Sequence, residues 1–249
     1  IRMSGKTRLD QLLVERGAFS SRARAQGAIR AGLVRVGGAV VDKPAAMIAD
    51  AETIDVAGDV HDYVSRGALK LDRALLAFGV DPAGKTCLDL GASTGGFTQV
   101  LLRAGAAKVY AVDVGTGQLH ALLRDDPRVV NLEKTHARDL SRALVPDAVE
   151  IIVCDVSFIS LMKALPFAMA LAAPQTLLVA LIKPQFELGP EKIGKGGIVK
   201  ASAAELAALT DAIGERLREA GWAPIGVIES PIEGGDGNKE FLIGAAKSA

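Results

Sequence analysis

The stretch Asp89-Leu90-Gly91-Ala92-Ser93-Thr94-Gly95-Gly96-Phe97 decides the fold. It follows a short apolar run, Thr86 to Leu90, and precedes apolar residues at helical spacing, so it reads as strand, sharp turn and helix start. Glycines at such a turn adopt backbone conformations closed to other residues and let a ligand approach the main-chain amides. The spacing departs from the dinucleotide pattern Gly-x-Gly-x-x-Gly, because Ser93 stands where the second glycine would admit a pyrophosphate. A cofactor without phosphates fits better. Asp113, 22 positions beyond Gly91 at the end of the next apolar run, is placed to accept hydrogen bonds from both hydroxyls of a ribose, and it would repel a 2′-phosphate. Turn and carboxylate together point to S-adenosyl-L-methionine, held by Gly91, Ala92, Ser93, Thr94, Gly95, Gly96, Phe97 and Asp113.

Outward from the turn, apolar runs alternate with helical ones. The strand-like runs are Thr86 to Leu90, Lys108 to Val114, Val129 to Leu132, Glu150 to Val156, Thr176 to Lys183, Pro224 to Ser230 and Phe241 to Ala245. In the early runs, near-continuous Val, Ile, Leu and Ala separated by helices fit a parallel sheet covered on both faces, so the seven strands predict an α/β doubly wound Rossmann-like fold. Leu69, Leu71, Ala74, Leu75 and Phe78 predict an amphipathic helix ahead of the first strand. Ser202-Ala203-Ala204-Glu205 is a capping-box signal for a later one. The stretch from Gln185 to Lys200, with four glycines and three lysines, reads as a functional loop able to close over substrate. Four charged residues lie at the ends of elements, where apolar neighbours surround them: Lys70, Asp155, Lys183 and Glu240. In an open α/β sheet the carboxyl ends of parallel strands line the ligand crevice, so Asp155 and Lys183 should share a cleft with Gly91 and Asp113. The same rule does not place Lys70 and Glu240.

Ahead of this domain, which begins near Tyr63 and runs to 249, residues 7–60 form a small α+β module. Leu9, Leu12 and Leu13 have helical spacing, Ser20 or Ser21 can cap a second helix that Gly32 ends, and Gly37-Gly38 suits a tight hairpin between Leu33-Val36 and Ala39-Val41. The polar stretch 58–62 marks the boundary. The 249 residues carry no formal net charge, with 29 Lys or Arg against 29 Asp or Glu. Residues 1–35 nonetheless hold eight basic residues against two acidic ones, a concentration suited to a polyanion. Cys87 and Cys154 sit in apolar runs, as reduced buried thiols of a cytoplasmic protein do. No apolar stretch reaches the ~20 residues that span a bilayer, so no membrane partner is expected. His61, His120 and His136 form no ligand spacing with the cysteines, and no metal is expected.

Five motifs give these features a common setting: Tyr63-Val64-Ser65-Arg66-Gly67-Ala68-Leu69-Lys70-Leu71, the glycine turn, Cys154-Asp155-Val156-Ser157-Phe158-Ile159-Ser160, Ile182-Lys183-Pro184-Gln185-Phe186-Glu187, and Gly237-Asn238-Lys239-Glu240-Phe241. With them the chain resembles the TlyA family of ribosomal-RNA 2′-O-methyltransferases, historically called hemolysin A, whose catalytic domain is similar to the FtsJ-type RNA methyltransferases. Residues 7–60 resemble the RNA-binding module first seen in ribosomal small-subunit protein four, which implies RNA-binding roles for Arg8, Arg22, Arg24, Arg30 and Arg35; Arg66, in the first motif of the second domain, is a further RNA-contact candidate.

The resemblance also implies a catalytic tetrad of Lys70, Asp155, Lys183 and Glu240, with Asp155 also near the cofactor and His136 at the position that meets adenine. It implies methyl transfer to the 2′-hydroxyl of a cytidine, with ribosomal RNA or assembled ribosomal subunits as partners. Lys183 is the candidate proton acceptor, since a desolvated amine beside a second cation gives up its proton more readily. A lysine held charged by Asp155 is the competing assignment. The rival functions are a nicotinamide-dependent oxidoreductase, a membrane-active hemolysin, and an RNA-binding regulator that has lost activity.

Overall fold

The computed structural model describes residues 6–16, 18–19, 22–30, 32–56, 63–234 and 237–248, with backbone alone at Ala23 and Arg24. The chain forms two compact units, Ile1–Asp62 and Tyr63–Ala249.

The first unit runs β1 (Lys6–Arg8), α1 (Leu9–Glu15), α2 (Arg22–Arg30), β2 (Val34–Val36), β3 (Ala39–Val40), β4 (Met47–Ala49) and β5 (Ile54–Val56). Leu9, Leu13, Ala25, Ile29 and Val34 form its core. The two predicted helices are present, while the capping serines Ser20 and Ser21 and the boundary residues 58–62 lie outside the described residues. Gly32 ends α2 at φ +72°, its N–H closing on the Ile29 carbonyl at 3.0 Å. Gly37 and Gly38, both at positive φ, turn β2 into β3. The predicted hairpin is one part of a larger arrangement: β5 adds to β2, and β1 pairs antiparallel with β4.

The second unit runs α3 (Ala68–Phe78), β6 (Thr86–Leu90), α4 (Gly96–Arg103), β7 (Lys108–Val112), α5 (Ala121–Arg124), β8 (Val129–Leu132), β9 (Val149–Cys154), α6 (Leu161–Met169), β10 (Ala172–Ile182), α7 (Pro184–Glu187), α8 (Ala203–Glu219), β11 (Trp222–Glu229) and β12 (Phe241–Lys247). Seven strands make one sheet in the order β11-β12-β10-β9-β6-β7-β8. The early strands pair in parallel, as expected, and the sheet is mixed because β12 runs antiparallel to both β10 and β11. Two apolar layers cover it. Leu71, Val100 and Leu101 belong to one, and Leu161, Leu165, Ile213 and Leu217 to the other. Cys87 lies in the first layer and Cys154 in the second, so the sheet itself separates the two free thiols, and burial pushes each up to about 12.

Helix α8 starts at the expected box: the Ser202 hydroxyl accepts from the Glu205 N–H, and the Glu205 carboxylate accepts from the Ser202 N–H at 2.7 Å. None of the described helices is long and apolar enough to cross a membrane, and no group of three or more metal-ligating side chains forms among the described residues.

Candidate active site

Strand direction builds the site. Gly91, Asp113, Asp155 and Lys183 each stand one residue past the end of β6, β7, β9 and β10, at the common carboxyl edge of the parallel strands. The antiparallel β12 begins at that same edge, with Phe241 opposite Ile182 in register, so Glu240 arrives beside Lys183. Lys70 reaches the edge from the first turn of α3.

Gly91 holds the turn at φ +88°, and a Cβ there would lie 2.8 Å from the Asp155 carbonyl oxygen, so no side chain fits. The N–H groups of Gly91 and Ala92 both donate to the Val112 carbonyl, at 2.9 and 3.0 Å. Asp113 braces the turn from β7, accepting from the Ser93 N–H at 2.8 Å and from the Gly115 N–H at 2.7 Å. A cleft of about 510 Å³ opens here, lined by Gly91, Ser93, Asp113, His136, Asp155 and Phe158 among others. A small polar cavity of about 100 Å³ adjoins it through Gly91, Ser93 and Asp155, with Ser65, Gly67, Thr94 and Gly96 on its walls. Phe97 also lines that cavity, and with the residue 3% exposed it packs into the core behind the turn.

The four charged residues form two pairs. Lys70 Nζ lies 2.5 Å from Glu240 Oε2, the side chains 9% and 3% exposed. Lys183 Nζ lies 2.7 Å from Asp155 Oδ1 and donates to Ser157 Oγ at 2.8 Å, with exposures of 11% and 22% for the lysine and the aspartate. These are not surface ion pairs. Burial raises the Asp155 carboxyl above its ordinary value, against the pull of Lys183 and Lys70, so Lys70 acts on both acids and ties the pairs together. Asp89, one residue before the strand end, is fully buried. It accepts from Thr98 Oγ1 at 2.7 Å while its Oδ1 has no hydrogen-bond partner among the described residues, and burial pushes it up to about 7.

Comparison with known proteins places this arrangement. The family described as FtsJ-like methyltransferase matches residues 63–247, and the S4 domain matches residues 7–54. The 16S/23S rRNA (cytidine-2'-O)-methyltransferase TlyA of Mycobacterium tuberculosis is 45% identical over 97% of this chain and 90% of its own length. The chain belongs to the TlyA family. Another relative, Hemolysin A of Brachyspira hyodysenteriae, is 42% identical over 94% of this chain and 98% of its own. A solved hemolysin-named structure from Streptococcus thermophilus aligns with a TM-score of 0.76 at 39% identity, covering 99% of this chain and 90% of that one.

Several TlyA-family motif residues that the sequence left without roles prove to be connectors. Ser157 holds Lys183, and Gln185 Nε2 donates to Glu240 Oε1 at 3.3 Å. Glu187 accepts from Ser160 Oγ and from the Leu161 N–H, tying α7 to the start of α6. Buried Asn238 accepts from the Val199 N–H at 2.8 Å and donates to the Gly197 carbonyl at 2.9 Å, so the glycine-rich loop is clamped to the strand carrying Glu240. A polar residue inside a motif that otherwise packs was the available signal for all four. Phe158 is 90% exposed at φ +65°, its ring 5.1 Å from that of Phe186.

In the S4 unit, Asp10 is fully buried and gathers Arg8 at 3.0 Å, Arg22 at 3.1 Å and Gln26 at 2.7 Å. Arg8 above all holds the Asp10 carboxyl well below its usual range. Two of the six arginines assigned to RNA are therefore braced by one carboxylate, with 41% and 54% of their side chains open to solvent. Arg30, Arg35 and Arg66 are exposed, and the Arg24 side chain lies outside the described residues.

Proposed function

We propose that this chain transfers a methyl group from S-adenosyl-L-methionine to the 2′-hydroxyl of a cytidine in ribosomal RNA. The observation that carries the reading is the meeting of Lys70, Asp155, Lys183 and Glu240 beside the glycine turn as one buried ion pair and one part-buried pair. Buried charges cost several kcal/mol of desolvation, and a fold keeps four together where chemistry needs them.

The turn fits the cofactor. Gly91 lets the turn pack against the Asp155 backbone and still line the cleft, the cleft is of ligand size, and Asp113 stands in it with lone pairs free on both oxygens for ribose hydroxyls. The adenosine half belongs in the 510 Å³ cleft, near His136, and the amino-acid tail in the adjoining polar cavity. Bound there, S-adenosyl-L-methionine supplies an electrophilic methyl on sulfur.

Lys183 takes the proton of the attacking 2′-hydroxyl, and Asp155 and Ser157 hold its amino group in place. Lys70, fixed by Glu240, keeps a positive charge nearby and orients the ribose oxygen. Phe158 offers an exposed aromatic face at the cleft rim on which a displaced base can stack. The arginines of the S4 unit, Arg8 and Arg22 among them, supply phosphate contacts. Ribosomal subunits as substrate imply a cytoplasmic site of action.

Replacing Lys183 separates the two assignments for that residue. K183R keeps the charge and cannot accept a proton at neutral pH. Cofactor affinity measured by calorimetry should survive in K183R and K183A while methyl transfer is lost in both. Transfer retained by K183R would leave Lys183 as an orienting charge only.

A further inference from the structure

The carboxamide of Gln185 has one end in use and the other idle. Its Nε2 donates to Glu240 Oε1, and the acceptor-only carboxylate fixes which end faces it. Its Oε1 is buried with no hydrogen-bond partner among the described residues. An orphaned buried acceptor costs the fold free energy, so structural side chains are normally satisfied at both ends. Glu240 is meanwhile enclosed on three sides: Lys70 holds Oε2, Gln185 holds Oε1, and the Gly234 backbone approaches so closely that a Cβ there would lie 2.4 Å from Oε1.

We propose that Gln185 is a positioning residue of the methyl-transfer site, fixing the Glu240 carboxylate against Lys70 and keeping its carboxamide oxygen for a hydrogen-bond donor of the bound nucleotide. Without Gln185, Oε1 of Glu240 loses the donor it has among the described residues, and the acid is free to turn, carrying Lys70 away from the ribose. The residue follows Lys183 by two positions at the start of α7, so the backbone that places the proton acceptor also places the amide. The inference rests on the ribose-methylation reading given above.

The test uses the full chain, methyl-labelled S-adenosyl-L-methionine and purified ribosomal subunits. Q185L removes both hydrogen-bonding ends at nearly constant volume. The melting temperature should change little, because the orphaned amide oxygen and the hydrogen bond to Glu240 are removed together, and cofactor affinity should hold. Turnover should fall about 10- to 100-fold, the worth of a hydrogen bond to a charged group. Q185E places a second carboxylate against Glu240, so the two share a proton and the acid limb of the pH–rate profile moves to higher pH.

Turnover unchanged in Q185L overturns the role, as does a melting temperature that falls in step with activity. Should Q185L fail to fold, an unshifted Q185E profile overturns it and a shifted one supports it. No transfer by the parent chain to any subunit removes the methylation reading and this inference with it, whereas a competent parent with unaltered variants removes the inference alone.

Discussion

The Lys70–Glu240 pair allows stability and function to be pulled apart. The two side chains are 9% and 3% exposed and 2.5 Å apart, so neither charge has water to fall back on when the other is removed. K70M or E240L alone leaves one uncompensated buried charge, a loss of about 3–5 kcal/mol. At roughly 2–4 °C per kcal/mol for a unit of this size, each single variant should melt about 6–20 °C below the parent. The double variant K70M/E240L removes both charges together with their desolvation. Its stability should return to the parent's or exceed it by about 1–4 kcal/mol, since apolar replacements of buried ion pairs are often neutral or better. Methyl transfer, assayed below the lowest melting point, should be lost in all three, with cofactor affinity retained in the double variant. A double variant that is both stable and active would refute the reasoning, because the pair would then be scaffold. Single variants melting with the parent would refute it from the other side, by showing that the charges are not buried as a pair.

Asp89 gives a pH signature. Its carboxyl sits near 7 in the fold against an ordinary 3.8, chiefly through burial. Its neutral form therefore stabilises the native state fully below about pH 4, and that contribution is lost as pH rises through about 7, a change on the order of 4 kcal/mol. D89N has no such titration, so urea unfolding from pH 5 to 8 should show a flatter slope for the variant, and equal slopes would count against a neutral Asp89. F158A should leave stability within about 0.5 kcal/mol of the parent, the ring being exposed. The same change should weaken RNA methylation by the ~1–3 kcal/mol of one stacked base. Undiminished transfer by F158A would take Phe158 out of the RNA contact.

The parts of this molecule legible in its sequence are those whose signal is local. The turn at Gly91 announced itself because glycine is forced there by a positive φ and by the Asp155 carbonyl 2.8 Å from a would-be Cβ. The long apolar strands were legible too, and the early ones pair in parallel as their near-continuous runs and helical spacers suggested, but the last run carried no signal of direction, and β12 proved antiparallel. That reversal is what brings Glu240 to the site, so its position could not be derived from the run itself. Strands β1, β4 and β5, three residues each, are too short to carry a period and were missed. Gln185, Asn238 and Ser157 read as ordinary loop polarity, since their partners are distant in sequence or are charges whose location depends on the sheet. Arg8 and Arg22 read as free cations because the carboxylate that braces them, Asp10, is buried only once α1 and α2 pack.

The most direct measurement incubates the full chain and its K183A variant with methyl-labelled S-adenosyl-L-methionine and, separately, small subunits, large subunits and naked ribosomal RNA, and then maps the labelled nucleotide. The account predicts label on a cytidine 2′-oxygen with the parent chain and none with K183A. Label on a base, or no label in any RNA under conditions where the cofactor binds, would contradict it.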